Sequence, residues 1–566
     1  MNFSIARAQG PPEVGTKAKS DDPTSSGDST TLGRWPRLLR GWPTKVELAK
    51  ASARPADPVP SGRSTPPIEG SEASAKAEVD APEGLPPLPT ASTMKADPTV
   101  KPAQFAEFGG FSYINTGDVS IGSQADLRFT RRLWKAYVDK PDPPGPEDPA
   151  APPTRRGLPA PFQAPPLPYS DFIGPTIGVN DTSVFPLMEA LYKGPNGQAW
   201  KDSRLKIYGW FDPSVTFGTS KMSNIPLAYN IVPNKLELSQ LILIFERPVD
   251  TAQQDHFDWG FRTTNLYGID YRYTTAKGYF SNQLLKHNHL YGYDPLQLYM
   301  DFYFPHVAQG LVVRAGRYIS PIDIEAQLSP DNFLYTHSVM YAYDPYTFTG
   351  IQTITKLSDR WHVQISAHAG NDMAPWTTSS QANGEFLLKW VSKSNKDSLY
   401  GGVDSIGRGY YQKGHDDLQV AALTWSHKFN DNFNTTTESY YIWQRQALAG
   451  GTVTNGNPHP YFPGVGPGKL IPGLSDAFGI VNHTSYKLND KALIVLRGDI
   501  LADFQGQRTG ISTTYFEHTL GYIYHINSWA IFRPEVRLDY TSGAKAYDNA
   551  TKRDQFTFSA DLIFRF

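Results

Sequence analysis

The sequence predicts an all-β fold, an antiparallel transmembrane β-barrel of about 16 strands (range about 14 to 18), behind a disordered Pro-rich N-terminal extension. Three observations predict it. The last twelve residues alternate strictly: Phe556, Phe558, Ala560, Leu562, Phe564 and Phe566 fall on one face of a strand. Gln555, Thr557, Ser559, Asp561 and Arg565 fall on the other, with Ile563 the lone apolar exception. Similar runs of about ten residues recur from residue 204 onward, longer than the usual soluble strand and long enough to cross a membrane at a tilt. Short turns also alternate with long polar loops, which suits a barrel with turns on the periplasmic side and loops outside.

The totals allow this and exclude other classes. The chain has 566 residues, no Cys, 13% aromatics and a net charge of −2. No stretch approaches the roughly 18 apolar residues of a spanning helix, which says nothing against a barrel. The near-neutral charge gives no reason to expect nucleic acid as a partner. Absence of Cys is compatible with export, although cytosolic chains also lack it.

Taken in order, the chain opens with Ala6-Arg7-Ala8 before Gln9, either the remnant of a signal peptide over 1–8 or a chance match. The first reading places the true start upstream of Met1. Residues 1–104 are rich in Pro, Ser, Ala, Lys and Asp, lack apolar periodicity and read as disordered. Residues 105–203 read as a partly ordered, Pro-rich periplasmic segment. Within it, Arg128, Arg131, Arg132 and Lys135 mark a short ordered element or docking peptide, and 187–191 one or two helical turns.

The barrel is expected over 204–566. Four turns share one pattern: Lys356-Leu357-Ser358-Asp359, Lys428-Phe429-Asn430-Asp431, Lys487-Leu488-Asn489-Asp490 and His525-Ile526-Asn527-Ser528. Asn and Asp suit such turns because they bond to their own backbone. Counting back from the C-terminus gives strands near 554–566, 529–540, 513–525, 491–504, 475–487, 433–445, 416–428, 398–407, 384–392, 361–370, 347–356, 310–319, 295–304, 257–273, 236–247 and 204–219. Pro213 and Pro534 fall inside strands and predict bulges. Tyr271, Tyr273, Phe302, Phe304, Trp361, Trp425, Phe429 and Trp529 sit near strand ends, where an aromatic girdle meets the lipid interface.

The ordered set Leu205-Lys206-Ile207-Tyr208-Gly209-Trp210, Phe245-Glu246-Arg247-Pro248-Val249-Asp250, Leu266-Tyr267-Gly268-Ile269-Asp270-Tyr271-Arg272-Tyr273, Val313-Arg314-Ala315-Gly316-Arg317-Tyr318 and Asp344-Pro345-Tyr346-Thr347-Phe348-Thr349-Gly350 resembles the OmpL-like β-barrel porins of bacterial outer membranes. The resemblance covers about 185–566 and implies an outer-membrane porin. The C-terminal strand also resembles the closing strand of outer-membrane barrels, in which Phe556, Phe558, Leu562, Phe564 and Phe566 would be the signal read by the barrel-assembly machinery. A soluble C-terminal strand could alternate in the same way.

A barrel of this size encloses a channel too wide for side chains to fill, so the expected function is passive diffusion of small hydrophilic solutes. Selectivity would lie where a loop folds inward. The stretch 320–346 is the candidate constriction, with Asp323, Glu325 and Asp331 facing wall residues Arg262, Arg272, Arg314 or Arg317 across the pore. Alternatively Asp323 and Glu325 cap turns outside the channel, and the Gly/Pro-rich loop 445–474 competes for the role. Expected partners are outer-membrane lipid, the assembly machinery and, by analogy with other 16-strand porins, two further copies in a homotrimer. No enzyme motif is evident, so no cofactor, metal or catalytic residue is expected. A barrel hydrolase with a loop-borne site, or an anchor for the N-terminal arm, remains open. His287 and His289 lack a third metal ligand, and His362 and His368 stand about 20 Å apart along a strand.

Overall fold

The computed structural model describes residues 119–139, 177–178, 184–226, 229–394, 396–411, 417–430, 432–451 and 468–566. The expectations for the arm 1–104 and for the middle of loop 445–474 lie outside these residues.

Sixteen strands follow one another: β1 (Lys206–Gly218), β2 (Lys235–Arg247), β3 (Asp258–Gly268), β4 (Gly292–Phe304), β5 (Leu311–Ile319), β6 (Thr347–Lys356), β7 (Trp361–Asn371), β8 (Asn383–Val391), β9 (Asp397–Ile406), β10 (Gln419–Lys428), β11 (Phe433–Arg445), β12 (Leu474–Asn489), β13 (Ala492–Asp503), β14 (Thr513–Asn527), β15 (Ala530–Thr541) and β16 (Asp554–Arg565). Each pairs antiparallel with its neighbours in sequence. β1 closes on β16, from Trp210↔Arg565 to Gly218↔Thr557, so the barrel has no free edge. Both ends of the barrel sequence lie at the short-turn end, and long loops crowd the other.

The shared turn pattern has a physical reason. Its third residue accepts backbone hydrogen bonds that close the turn. Asn430 Oδ1 takes the N–H groups of Asn432 and Phe433 at 2.9 and 3.0 Å. Asn489 takes Lys491 N–H at 2.8 Å, Asn527 takes Trp529 N–H at 3.0 Å, and Ser358 Oγ takes Arg360 and Trp361 N–H at 3.2 Å.

Side-chain faces follow the period of two. On β16, Phe556 and Phe558 are 48% and 43% exposed on the outside, while Gln555, Thr557, Ser559 and Asp561 are buried inside. The exception, Ile563, points inward and joins Ile242, Ile244, Leu493, Val495, Ile523 and Ile531 in an apolar patch of the inner wall. A loop covers that patch, so an apolar residue belongs there.

Two details differ from the expectation. The run 257–273 stops at Gly268, where a Cβ would stand 2.1 Å from Ser239 O, and Tyr271–Thr274 coil into a helical turn. Pro213 does sit at a register shift, between Asp212 and Pro213. Pro534 does not: it pairs with Ala560, and on the β14 side Gly521↔Glu535 and Tyr524↔Phe532 keep one register. Loss of its N–H interrupts the ladder without inserting a residue.

Among the described residues three helices precede the barrel: α1 (Phe129–Val138), α2 (Pro186–Tyr192) and α3 (Gly197–Ser203). Arg132 Nε donates to Ala190 O at 2.9 Å and joins α1 to α2. Trp529 Nε1 donates to Tyr137 O at 2.8 Å and ties α1 to the β14–β15 turn.

Ile563→Ala removes a fully buried inner-wall side chain and is expected to cost about 2–5 kcal/mol. Ile351→Ala, at a position 57% exposed on the outer face, is expected to cost less. Urea midpoints of the refolded variants, read by tryptophan fluorescence, check the order.

Candidate functional site: the loop inside the barrel

The β5–β6 loop, residues 320–346, folds into the barrel, and most of its side chains are buried. The inner wall carries the partners that hold it there. Arg497 on β13 lies between Glu325 of the loop and Glu517 on β14, each at 3.0 Å. Glu325 also takes His483 Nε2 at 3.0 Å and Ser338 N–H at 2.8 Å. Arg533 on β15 donates to Ser329 O and Asn332 O at 2.7 Å while paired with Asp561. Glu535 takes the N–H groups of Tyr335 and Thr336 at 3.1 and 3.2 Å. Asp499 takes Met340 N–H at 3.1 Å, and Arg508 donates to Tyr343 O at 2.8 Å. A loop buried this deeply must bond its peptide groups somewhere. Here the charged wall does it.

Apolar contacts complete the seat. Leu328, Phe333 and Leu334 pack on the inner patch that contains Ile563. Ile322, Val339, Met340, Tyr341 and Tyr343 pack on Leu387, Leu418, Val420, Ile442, Val481 and Leu501 of β8–β13 and the β9–β10 loop.

The segment before the barrel enters from the opposite end. Ile177 is buried among Val249, Tyr303, Val312 and Ile354, and Gly178 N–H donates to Thr251 Oγ1 at 3.3 Å. Phe185 stacks on Tyr208 with ring centroids 4.6 Å apart and joins the same apolar patch as Leu328 and Phe333.

The loop acids occupy different settings. Asp323 holds φ at 95°, a conformation costing on the order of 1–3 kcal/mol, and its N–H donates to Glu438 Oε2 at 3.0 Å. Burial, then the charges of Asp344 and Glu438, push its carboxyl well above the ordinary range. Burial and Glu438 push Asp344 up as well. Glu325 goes the other way: burial disfavours its charge, but Arg497 and the bonds from His337 and His483 outweigh that and hold its carboxyl well below the usual range. Asp331 is half-buried in a turn over Ser329–Asp331.

The arginines expected opposite these acids do not face them. Arg262 pairs with Glu246 at 3.6 Å, Arg314 with Asp301 at 2.8 Å and Arg317 with Asp294 at 2.7 Å. Arg272 lies in the Tyr271–Thr274 turn and donates to Asn288 Oδ1 and His289 O at 2.6 and 2.7 Å. Their partners come from the adjacent strand or the β3–β4 loop, which a reading of loop acids against wall bases overlooks. Arg497, Arg533 and Arg537 were the bases to find; the alternation of Arg497 with Asp499 on the inner face of β13, and of Arg533 and Arg537 with Glu535 and Asp539 on that of β15, was the available signal.

Of the girdle candidates, Phe304, Trp361, Trp425 and Phe429 are exposed on the outer surface, and Phe302 and Trp529 are half-buried. Tyr271 and Tyr273 are a correction. Their helical turn buries both, Tyr273 stacking on Tyr229 at 4.1 Å. Of the closing-strand residues, Leu562, Phe564 and Phe566 are half-buried on the outer face. His287 and His289 stack at 5.3 Å, and among the described residues no group of three or more His, Asp or Glu could hold a metal ion.

Burial holds the loop's His337 neutral and pushes its pKa down from 6.5 to about 4, with Arg497 and Arg533 adding to burial against the pull of Glu325. Between those values the unfolded chain binds a proton that the folded chain refuses. Stability present above pH 6.5 should therefore fall by up to about 3 kcal/mol as the pH drops to about 4. Urea midpoints across that range check it, and His337→Phe should flatten the profile.

Comparison with solved structures finds an anion-selective porin from Comamonas acidovorans, at 8% identity and a TM-score of 0.40, covering 64% of this chain and 99% of that one. It also finds OprB of Pseudomonas putida, at 11% and 0.41, covering 66% and 98%. The outer membrane channel DcaP of Acinetobacter baumannii follows at 10% and 0.39, covering 64% and 97%. No curated protein matches the sequence. The family model described as "Putative beta-barrel porin-2, OmpL-like" matches residues 204–566, well over half the sequence, and the chain belongs to that family.

Proposed function

We propose that the protein is a porin of the bacterial outer membrane, a water-filled channel for passive diffusion of small hydrophilic solutes, with no catalytic role. The observation that carries this reading is a closed ring of sixteen strands with a charged interior and one long loop folded within it. A barrel of this number has room for an aqueous path beside such a loop. The outer face is apolar: Leu236, Leu298, Ile351, Leu423, Leu496 and Leu520 are half or more exposed there, which suits lipid and not water. In this reading the short-turn end faces the periplasm, and the C-terminal strand serves recognition by the assembly machinery. The solute path runs through the section occupied by residues 320–346.

The test is single-channel recording of the refolded full chain in a planar bilayer. Stable conductance steps are expected, and a correctly folded barrel without them would sink the proposal. The same recording checks the segment entering from the short-turn end. Ile177→Asp places a charge in an apolar contact and is expected to loosen that segment and enlarge the steps. Unchanged steps would mean that the segment lies clear of the path.

A further inference from the structure

The basic run Arg128, Arg131, Arg132 and Lys135 lies along α1, and the channel reading gives it no part. The helix separates these cations by direction. Arg132 turns to α2, where it bonds Ala190 O, and its guanidinium stands 5.8 Å from the ring centroid of Phe129. Arg128 and Arg131 are exposed, and Lys135 is half-buried, 3.4 Å from Asp139. Two large apolar residues one turn apart are exposed with them, Trp134 at 67% and Val138 at 56%. The helix's own packing leaves that face uncovered.

The rim of the barrel shows where the face stands. Tyr137 meets Trp529 of the β14–β15 turn edge to face, with ring centroids 5.3 Å apart, and its carbonyl accepts the indole N–H. Trp529 in turn stacks at 6.1 Å on Phe564, on the outer face of β16. An unbroken aromatic row thus runs from the helix to the lipid-facing wall, at the level where interfacial aromatics gather. At roughly 100° per residue, Trp134 and Val138 lie about 60° and about 100° round the helix from Tyr137. Arg131 and Lys135 follow in the same sense, at about 120° and about 160°. From the wall contact onward the order is aromatic, apolar, basic. A bilayer presents the matching order, from acyl chains to phosphates.

We propose that α1 is an interfacial helix that docks on the phospholipid leaflet at the short-turn end. Trp134 and Val138 seat among acyl chains beside Trp529, and Arg128, Arg131 and Lys135 meet anionic headgroups. This rests on the outer-membrane reading above.

The test uses the absence of Cys from the chain, so that one introduced thiol takes one nitroxide label. Val138→Cys reports on the helix, and Ile351→Cys, on the exposed outer wall, reports on the barrel. Each full-length variant is refolded into vesicles of equal parts phosphatidylethanolamine and phosphatidylglycerol, and retention of the folded form on unheated gels establishes the barrel. Accessibility to oxygen, which concentrates in lipid, is then compared with accessibility to a water-soluble nickel chelate. Both labels are expected to favour oxygen severalfold. Adding Arg131→Gln and Lys135→Gln to Val138→Cys is expected to shift that label toward nickel, and an unchanged ratio overturns the role given to the headgroups. A Val138 label open to nickel beside an Ile351 label in lipid overturns this inference and leaves the membrane barrel standing. A Val138 label shielded from both reagents means that protein covers the face, a second copy or another chain, and also overturns it. Both labels open to nickel overturn the inference and the outer-membrane reading together.

Discussion

The interior depends on the contact of Arg497 with Glu325. Arg497 is fully buried between a loop acid and a wall acid, and it donates to Thr336 O as well. Removing one member of such a pair strands the other in a medium of low dielectric, at about 3–5 kcal/mol. Glu325 in turn fixes His483 of the wall and Ser338 of the loop. The loop therefore owes its place inside the barrel to a few wall charges, and every other contact it makes presupposes that place. Arg533 and Glu535 extend the arrangement along β15, one donating to loop carbonyls and the other accepting loop N–H groups.

The alternation of faces is the second constraint. A strand that crosses lipid must turn apolar residues outward at every other position, and the inner positions are then free to carry anything the lumen needs. In this barrel they carry more than charge. Ile563, Ile531, Val495 and Ile242 make an inner apolar patch, and Leu328, Phe333 and Phe185 cover it. The loop from one end and the N-terminal segment from the other thus meet on one surface.

Much of the barrel was legible in the sequence because strand and turn signals are local. The period of two lies within ten residues, and the Asn or Ser that closes each short turn lies within four. The strand boundaries of β6 and β11 follow from those signals without adjustment. Pairings across the lumen are not local. Glu325 and Arg497 are 172 residues apart, and nothing in either neighbourhood names the other. Arg262, Arg314 and Arg317 looked available for the same reason, since each finds its partner only when the neighbouring strand falls into register. The run through Tyr271 and Tyr273 kept its apolar alternation beyond Gly268, where close approach to Ser239 O turns the backbone. Pattern alone could not register that contact.

The two sides of the loop's seat follow from how a loop can be held inside a barrel at all. A buried loop must satisfy its peptide groups, and arginine and glutamate on the wall do so on the side of β13–β15. Those charges are consumed by holding the loop. On the side of β8–β11 apolar contacts join the Asp323 N–H bond to Glu438 in holding it, through Ile322, Val339 and Met340 against Leu387, Val420 and Ile442. Apolar contacts cancel no charge. Burial there favours a proton on Asp344 instead, so on this side the loop's own acid is neutralised by its seat rather than by a partner.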